Sequence, residues 1–175
     1  MPEDTKYGPV LLETTIKEEW IDFNGHMNMA YYVLLFDQAL TNFLEELELG
    51  LNYVRTHGKS MFALENHVTY QHELKQGDPV HVHFQLLDFD SKFMHYFMCL
   101  IHRDTGARSA TMEQISLHVN MENRLPTRFS QDKIDLLHQK LDHHKTYGVP
   151  REIGRSIAIR RPAKKASSKP VTKNS

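Results

Sequence analysis

From Asn28 onward, apolar side chains fall at three- and four-residue steps, through Tyr32, Phe36, Leu40, Phe43 and Leu47. That period belongs to one face of an α-helix. It predicts a helix of about 21 residues, roughly 32 Å long at 1.5 Å per residue, with Gly50 as its stop. Ala30, Tyr31, Val33, Leu34 and Leu35 make its first half apolar nearly all round, which predicts a helix enclosed by protein. Downstream the period drops to two. Phe62, Leu64, Val68 and Tyr70 are expected on one strand face, against Glu65, His67, Thr69 and Glu73 on the other. Val80, Val82, Phe84 and Leu86 likewise alternate with His81, His83 and Gln85. Residues 92–102 (KFMHYFMCLIH) are apolar on both faces, the mark of a central strand, and 109–121 (SATMEQISLHVNM) return as another after the turn RDTGAR. A first strand within 11–21 precedes the long helix, LNYVRTHG reads as a short connecting turn, and 129–144 reads as a closing helix capped by Ser130.

This order predicts an α+β domain over residues 1–150, with a long central helix packed on an antiparallel sheet and a C-terminal helix. The third long strand is too apolar for a solvated outer face, which predicts a homodimer. The overall charge of -1 conceals an asymmetry. Residues 151–175 hold eight Lys or Arg against one Glu, so the preceding 150 residues carry a net -8. The tail RRPAKKASSKPVTKNS has almost no apolar content and reads as a disordered, solvated extension rather than a nucleic-acid or membrane contact. Hydrophobic residues at 40% and charged residues at 25% fit a soluble globular chain. No apolar run approaches the ~20 residues of a membrane span. MPEDTKYGPV carries no secretory pattern, and the one cysteine, Cys99, sits in an apolar run. These features together place the chain in the cytoplasm.

Directly before the long helix stands EWIDFNGHMN, which packs Asp22, Asn24, Gly25, His26 and Asn28 into seven residues. Polar residues at a helix start are ordinary capping material, so this cluster has a structural reading beside any chemical one.

The cluster nevertheless matches a pattern. With Asp22, Asn24, Gly25, His26 and Asn28 in a D-x-N-G-H-x-N arrangement, and Tyr70, Glu73, Gly77 and Asp78 in Y-x-x-E-x-x-x-G-D, the chain resembles the hotdog-fold acyl-CoA thioesterases of the 4-hydroxybenzoyl-CoA thioesterase type. The likeness covers residues 9 to about 128. Within that family EWIDFNGHMN, FDQA and DFDSKFMH resemble the betainyl-CoA thioesterases of carnitine degradation. The resemblance implies an acyl-CoA substrate; no cofactor is expected, and the doubly apolar strand predicts a homodimer or a dimer of dimers. It implies Asp22 as nucleophile or general base.

Thioester hydrolysis needs an attacking group or a base for water, and donors for the developing oxyanion. A helix start offers unpaired N–H groups and a positive dipole end. Gly25 would let the backbone approach the thioester. His26 is assigned to orient Asp22, polarise the carbonyl or place a water; Asn24 to brace the loop beside the substrate; Asn28 to cap the helix. Asp37, expected to be buried in the helix, is the second candidate base. Glu65 is placed at the dimer seam or in a structural pair with a histidine. A betainyl group is a quaternary ammonium, which favours aromatic faces, and Trp20, Phe23, Tyr31 and Tyr32 stand around the motif. Lys92, Arg103, Arg108 and Arg124 are candidates for the CoA phosphates. His81, His83, His95, His102 and His118 lack the acidic or cysteine ligands of a metal site, so no metal is expected. The competing functions are an enoyl-thioester hydratase on the same fold, and a binding module without turnover.

Overall fold

The computed structural model describes residues 7–159. Strand β1 (Val10–Thr15) leads through a 3-10 turn (Glu18–Trp20) to helix α1 (Met29–Glu46) and helix α2 (Leu51–His57). Strands β2 (Lys59–Tyr70), β3 (Pro79–Phe89), β4 (Phe93–His102) and β5 (Arg108–Asn120) follow, then helix α3 (Gln131–His144). The five strands form one antiparallel sheet in the order β1-β3-β4-β5-β2. The α+β hotdog architecture expected from the sequence is present.

One face of α1 meets one face of the sheet. Leu35, Phe36, Ala39 and Phe43 are fully buried against Val82, Phe84, Met94, Tyr96 and Met98. Phe43 stacks on Phe84 at 4.1 Å between ring centroids, and Phe84 stacks on Tyr96 at 5.1 Å. Tyr96 carries a polar tip into this core, where Ser116 Oγ lies 2.6 Å from its hydroxyl and Gln114 Nε2 donates to it at 2.5 Å.

Four features depart from the sequence reading. Helix α1 is shorter than expected, 18 residues and so about 27 Å. It ends before Gly50 because Glu48 takes a left-handed conformation at φ 52°. Gly50 instead precedes α2, and its position is crowded: a Cβ there would lie 2.0 Å from the Glu45 carboxylate, which accepts the Leu51 N–H at 2.9 Å. The supposed turn LNYVRTHG is therefore the helix α2, closed by Gly58 at φ 60°. Third, a register shift between Ala63 and Glu65 interrupts β2. One extra residue reverses the facing of everything beyond it, so Met61 and Val68 both pack toward the core while Leu64 stays exposed. The single face expected for Phe62, Leu64, Val68 and Tyr70 is thus divided. Fourth, α1 is not enclosed within its own chain: Met29, Ala30, Val33 and Leu34 are exposed, and so is Asp37, which the sequence placed in the interior.

Strand β4 is central, as its composition predicts, but its outer face does not require a second copy. Phe97, Cys99 and Ile101 form a second cluster with Tyr7, and Leu87 and Ile153 pack against it. Both ends of the described chain are held there. Arg108 donates to Tyr7 Oη at 2.8 Å and pairs with Glu152, and the Gly154 N–H donates to Glu113 at 2.7 Å. Most of the basic tail, residues 160–175, lies outside the described residues.

Ser130 occupies the N-cap position of α3 without a side-chain cap bond. At the other end of α3, His144 is buried and its Nδ1 accepts the Leu86 N–H at 2.8 Å, which requires an unprotonated nitrogen. Burial, with His143 and Lys140 nearby, lowers its pKa to about 4. An unfolded histidine titrates near ~6.5, so the unfolded chain takes up this proton first. His144 therefore contributes stability above the unfolded value, and that contribution is lost as pH falls from ~6.5 toward 4, by up to about 3 kcal/mol. Urea midpoints at about pH 7.5 and 4.5 should fall more steeply for the wild type than for His144→Gln. Parallel declines would contradict this.

Candidate active site

The segment between β1 and α1 is a closed loop. The Asp22 N–H donates to His26 O at 3.1 Å and the Gly25 N–H to Asp22 O at 3.0 Å, while Ile21 and Met27 form a bridge beneath them. The Asp22 carboxylate accepts the Asn24 N–H through Oδ1 at 2.8 Å, an Asx turn that gives this side chain a structural role in the loop. Gly25 sits at φ 80° with open space where a Cβ would stand. Its glycine is explained by backbone conformation, not by close approach of another part of the chain. Two further bonds fix the loop to the body: Met27 N–H to Leu74 O at 2.7 Å, and Asn28 N–H to Trp20 O at 2.9 Å. Asn28 is the N-cap of α1, its Oδ1 accepting the Ala30 N–H at 3.0 Å. The loop and cap thereby use the N–H groups of Asp22, Asn24, Gly25, Met27, Asn28, Ala30 and Tyr31. Those of Phe23, His26 and Met29 fall outside this set.

The loop forms one wall of a 460 Å³ cleft. Asp22, Phe23, His26, Asn28 and Met29 line it from the loop and helix start; Tyr32 lies at its base, and Tyr70, Gln71, His72 and Glu73 face it from the end of β2. Tyr32 and Tyr70 meet edge to face at 5.2 Å and 86°. Burial raises the pKa of both phenols. His26 Nε2 stands 3.8 Å from Glu73 Oε1, so the charged neighbour of this histidine is Glu73.

The structure brings together Asp22, Phe23, His26 and Asn28 from the predicted set, with Tyr32, and keeps others apart. Trp20 and Tyr31 stack on each other at 5.6 Å, with the Lys17 ammonium 5.3 Å from the Trp20 ring. Neither lines the cleft, so the four-membered aromatic cage does not form as expected. Glu65 lies on a separate 490 Å³ cleft across the sheet, where His95 pairs with Glu113 at 2.8 Å rather than with Glu65. Arg108 is occupied by Tyr7, Gln71 and Glu152, and Arg124 lies over the Phe62 ring. By the period of the sequence, Tyr70 and Glu73 stand only on the two opposite faces of a strand. Their place in a second motif was the available signal. Among the described residues no group of three or more His, Cys, Asp and Glu is placed to hold a metal ion, and no helix is long and apolar enough to cross a membrane.

The family model of the thioesterase-like superfamily matches residues 4–143. The chain belongs to that superfamily. Thioester hydrolysis is the reaction class that membership in the thioesterase-like superfamily carries. The chain is 32% identical over 147 residues to a betainyl-CoA thioesterase of Pseudomonas aeruginosa, covering 84% of this chain and 92% of that protein. It is 28% identical over 155 residues to an L-carnitine dehydrogenase/betainyl-CoA thioesterase of Rhizobium meliloti, covering 88% of this chain but 31% of that longer protein. A Staphylococcus aureus protein solved in complex with CoA superposes with a TM-score of 0.81 at 27% identity, covering 87% of this chain and 97% of that one. A 1,4-dihydroxy-2-naphthoyl-CoA thioesterase from Synechocystis, at TM-score 0.67 and 13% identity over 75% of this chain and 96% of its own, shares the fold.

Proposed function

We propose that this thioesterase-like protein hydrolyses a small acyl-CoA thioester, betainyl-CoA in the first instance, to glycine betaine and CoA in carnitine catabolism. The observation that carries this reading is a single cleft holding Asp22, His26 and the start of α1. The Pseudomonas aeruginosa relative supports the choice of acyl group, and the dehydrogenase-fused relative supports the pathway. In this reading Asp22 attacks the thioester carbon or deprotonates the water that does so. Its Oδ1 is held by Asn24, which leaves Oδ2 for the reaction. The oxyanion forms beside the Met29 N–H at the positive end of α1, and CoA departs as the thiol. Gly25 and Asn24 hold the loop, and Asn28 fixes the helix start.

The experiment compares release of free thiol with loss of enoyl absorbance when the protein is offered saturated and α,β-unsaturated acyl-CoA esters. Thiol release from saturated esters is the expected result. Loss of the enoyl chromophore without thiol would replace hydrolysis by hydration, and tight binding without either change would leave only a binding module.

The same reading takes the working unit as a homodimer or dimer of dimers in the cytoplasm. Its support is the open edge strand β2, twelve residues long, and the exposed apolar side of α1. Unpaired strand edges are templates for pairing. Light scattering should give at least twice the chain mass of 20.5 kDa; an active monomer would refute it.

A further inference from the structure

We propose that Phe23, Tyr32 and Tyr70, together with Glu73, form a subsite for the quaternary ammonium group of the acyl substrate. The inference rests on the thioesterase reading and assigns the part of the cleft that selects the acyl group. A quaternary ammonium has no N–H to donate, so hydrogen bonds cannot recognise it; aromatic faces and a nearby anion can. The cleft offers that chemistry. Among the described residues its lining contains the rings of Phe23, Tyr32 and Tyr70, two carboxylates, Asp22 and Glu73, and no Lys or Arg.

Packing within the single chain does not account for the arrangement of the rings. Phe23 is 98% exposed at the tip of the loop, and Tyr70 is 46% exposed at the end of β2. Apolar rings left open on the two walls of one cleft point to a ligand between them. Tyr32 is buried and its edge-to-face contact holds the Tyr70 ring in place. Both phenols stay neutral at physiological pH, because burial moves their titration upward, so each keeps an uncharged π-face. The Glu73 side chain is 69% exposed, and its neighbour His26 lies beyond hydrogen-bond distance at 3.8 Å. Its charge is thus available to a cation at the mouth of the cleft. In a betainyl ester one methylene separates the ammonium from the carbonyl carbon. A cation site must therefore lie within the same cleft as the hydrolytic group, which is where these four residues stand with Asp22.

The test compares betainyl-CoA with 3,3-dimethylbutanoyl-CoA, the neutral isostere in which carbon replaces nitrogen. The wild type should favour the cationic ester in kcat/KM by about tenfold or more, the scale of a partly desolvated cation–π contact with a supporting carboxylate. Tyr70→Leu and Glu73→Gln should each bring that ratio down severalfold toward one. Because Glu73 is exposed, its variant carries the test even if Tyr70→Leu fails to fold. Equal rates for the two esters in the wild type, or a ratio that neither variant changes, would overturn the subsite while leaving thioester hydrolysis intact. Hydrolysis of neither ester would overturn both readings.

Discussion

Asp22→Asn is expected to lower kcat by at least ~100-fold, the scale for loss of a positioned acid–base group, while leaving the fold intact. The substitution separates the two roles of the residue. In the structure Oδ1 accepts the Asn24 N–H at 2.8 Å, and the side-chain carbonyl of asparagine can accept the same bond. The Asx turn therefore survives and the loop keeps its shape. What is lost is the carboxylate charge, which asparagine supplies neither as nucleophile nor as base. Unchanged circular dichroism with a collapsed kcat is the predicted pair of observations. Near wild-type turnover would remove Asp22 from the chemistry and bring forward Glu73, the other carboxylate of the cleft. Asp37 would not inherit the role, because its place on the exposed side of α1 is not among the residues lining the cleft.

Phe43→Ala should destabilise the protein by about 3–5 kcal/mol, the range for truncating a fully buried aromatic residue. Phe43 is fully buried and stacks at 4.1 Å on Phe84, which in turn stacks on Tyr96. The three rings connect α1 to β3 and β4, so removing the first opens a cavity between the helix and the sheet. The relevant measurement is the urea midpoint with the denaturant slope held constant. A loss below about 1 kcal/mol would mean that the core collapses into the space, and that this stack is not a principal attachment of α1 to the sheet. The consequence for function is positional. The cleft depends on the start of α1, so any activity lost in this variant should return under conditions that restore folding.

The fold was legible where the period of the sequence was unbroken. Phe36 and Phe43 lie three or four residues from their apolar neighbours and fall on the buried side of α1; β4, apolar at every position from Tyr96 to Ile101, is the middle strand. Legibility failed where local geometry resets the count. The extra residue in β2 moves Phe62 and Val68 to opposite faces, and nothing in SMFALENHVTY marks it. Gly50 looked like a helix stop because glycine commonly ends helices. The structure uses it to admit the Glu45 carboxylate, a contact between residues five apart that no periodic pattern encodes. The second apolar face of β4 was read as an interface, yet Tyr7 and Ile153 supply its cover from the two ends of the described chain. At the site, the motif before α1 located Asp22, His26 and Asn28 together. Proximity along the chain misplaced Trp20 and Tyr31, since aromatics beside a motif can stack on one another, as these do. Tyr70 and Glu73 reach the cleft from more than forty residues beyond the motif, in a segment tied to the loop and α1 by the bonds of Met27 N–H to Leu74 O and Tyr32 Oη to His72 O.

The central claim is that this cleft hydrolyses a short cationic acyl-CoA. Its most direct test is the release of free CoA thiol from betainyl-CoA by the purified full-length protein, measured beside Asp22→Asn. Thiol and glycine betaine should appear in equal amounts with the wild type, at a rate proportional to enzyme, and fall by at least ~100-fold in the variant. No thiol release from betainyl-CoA by the folded wild type, or equal release by both proteins, would contradict it.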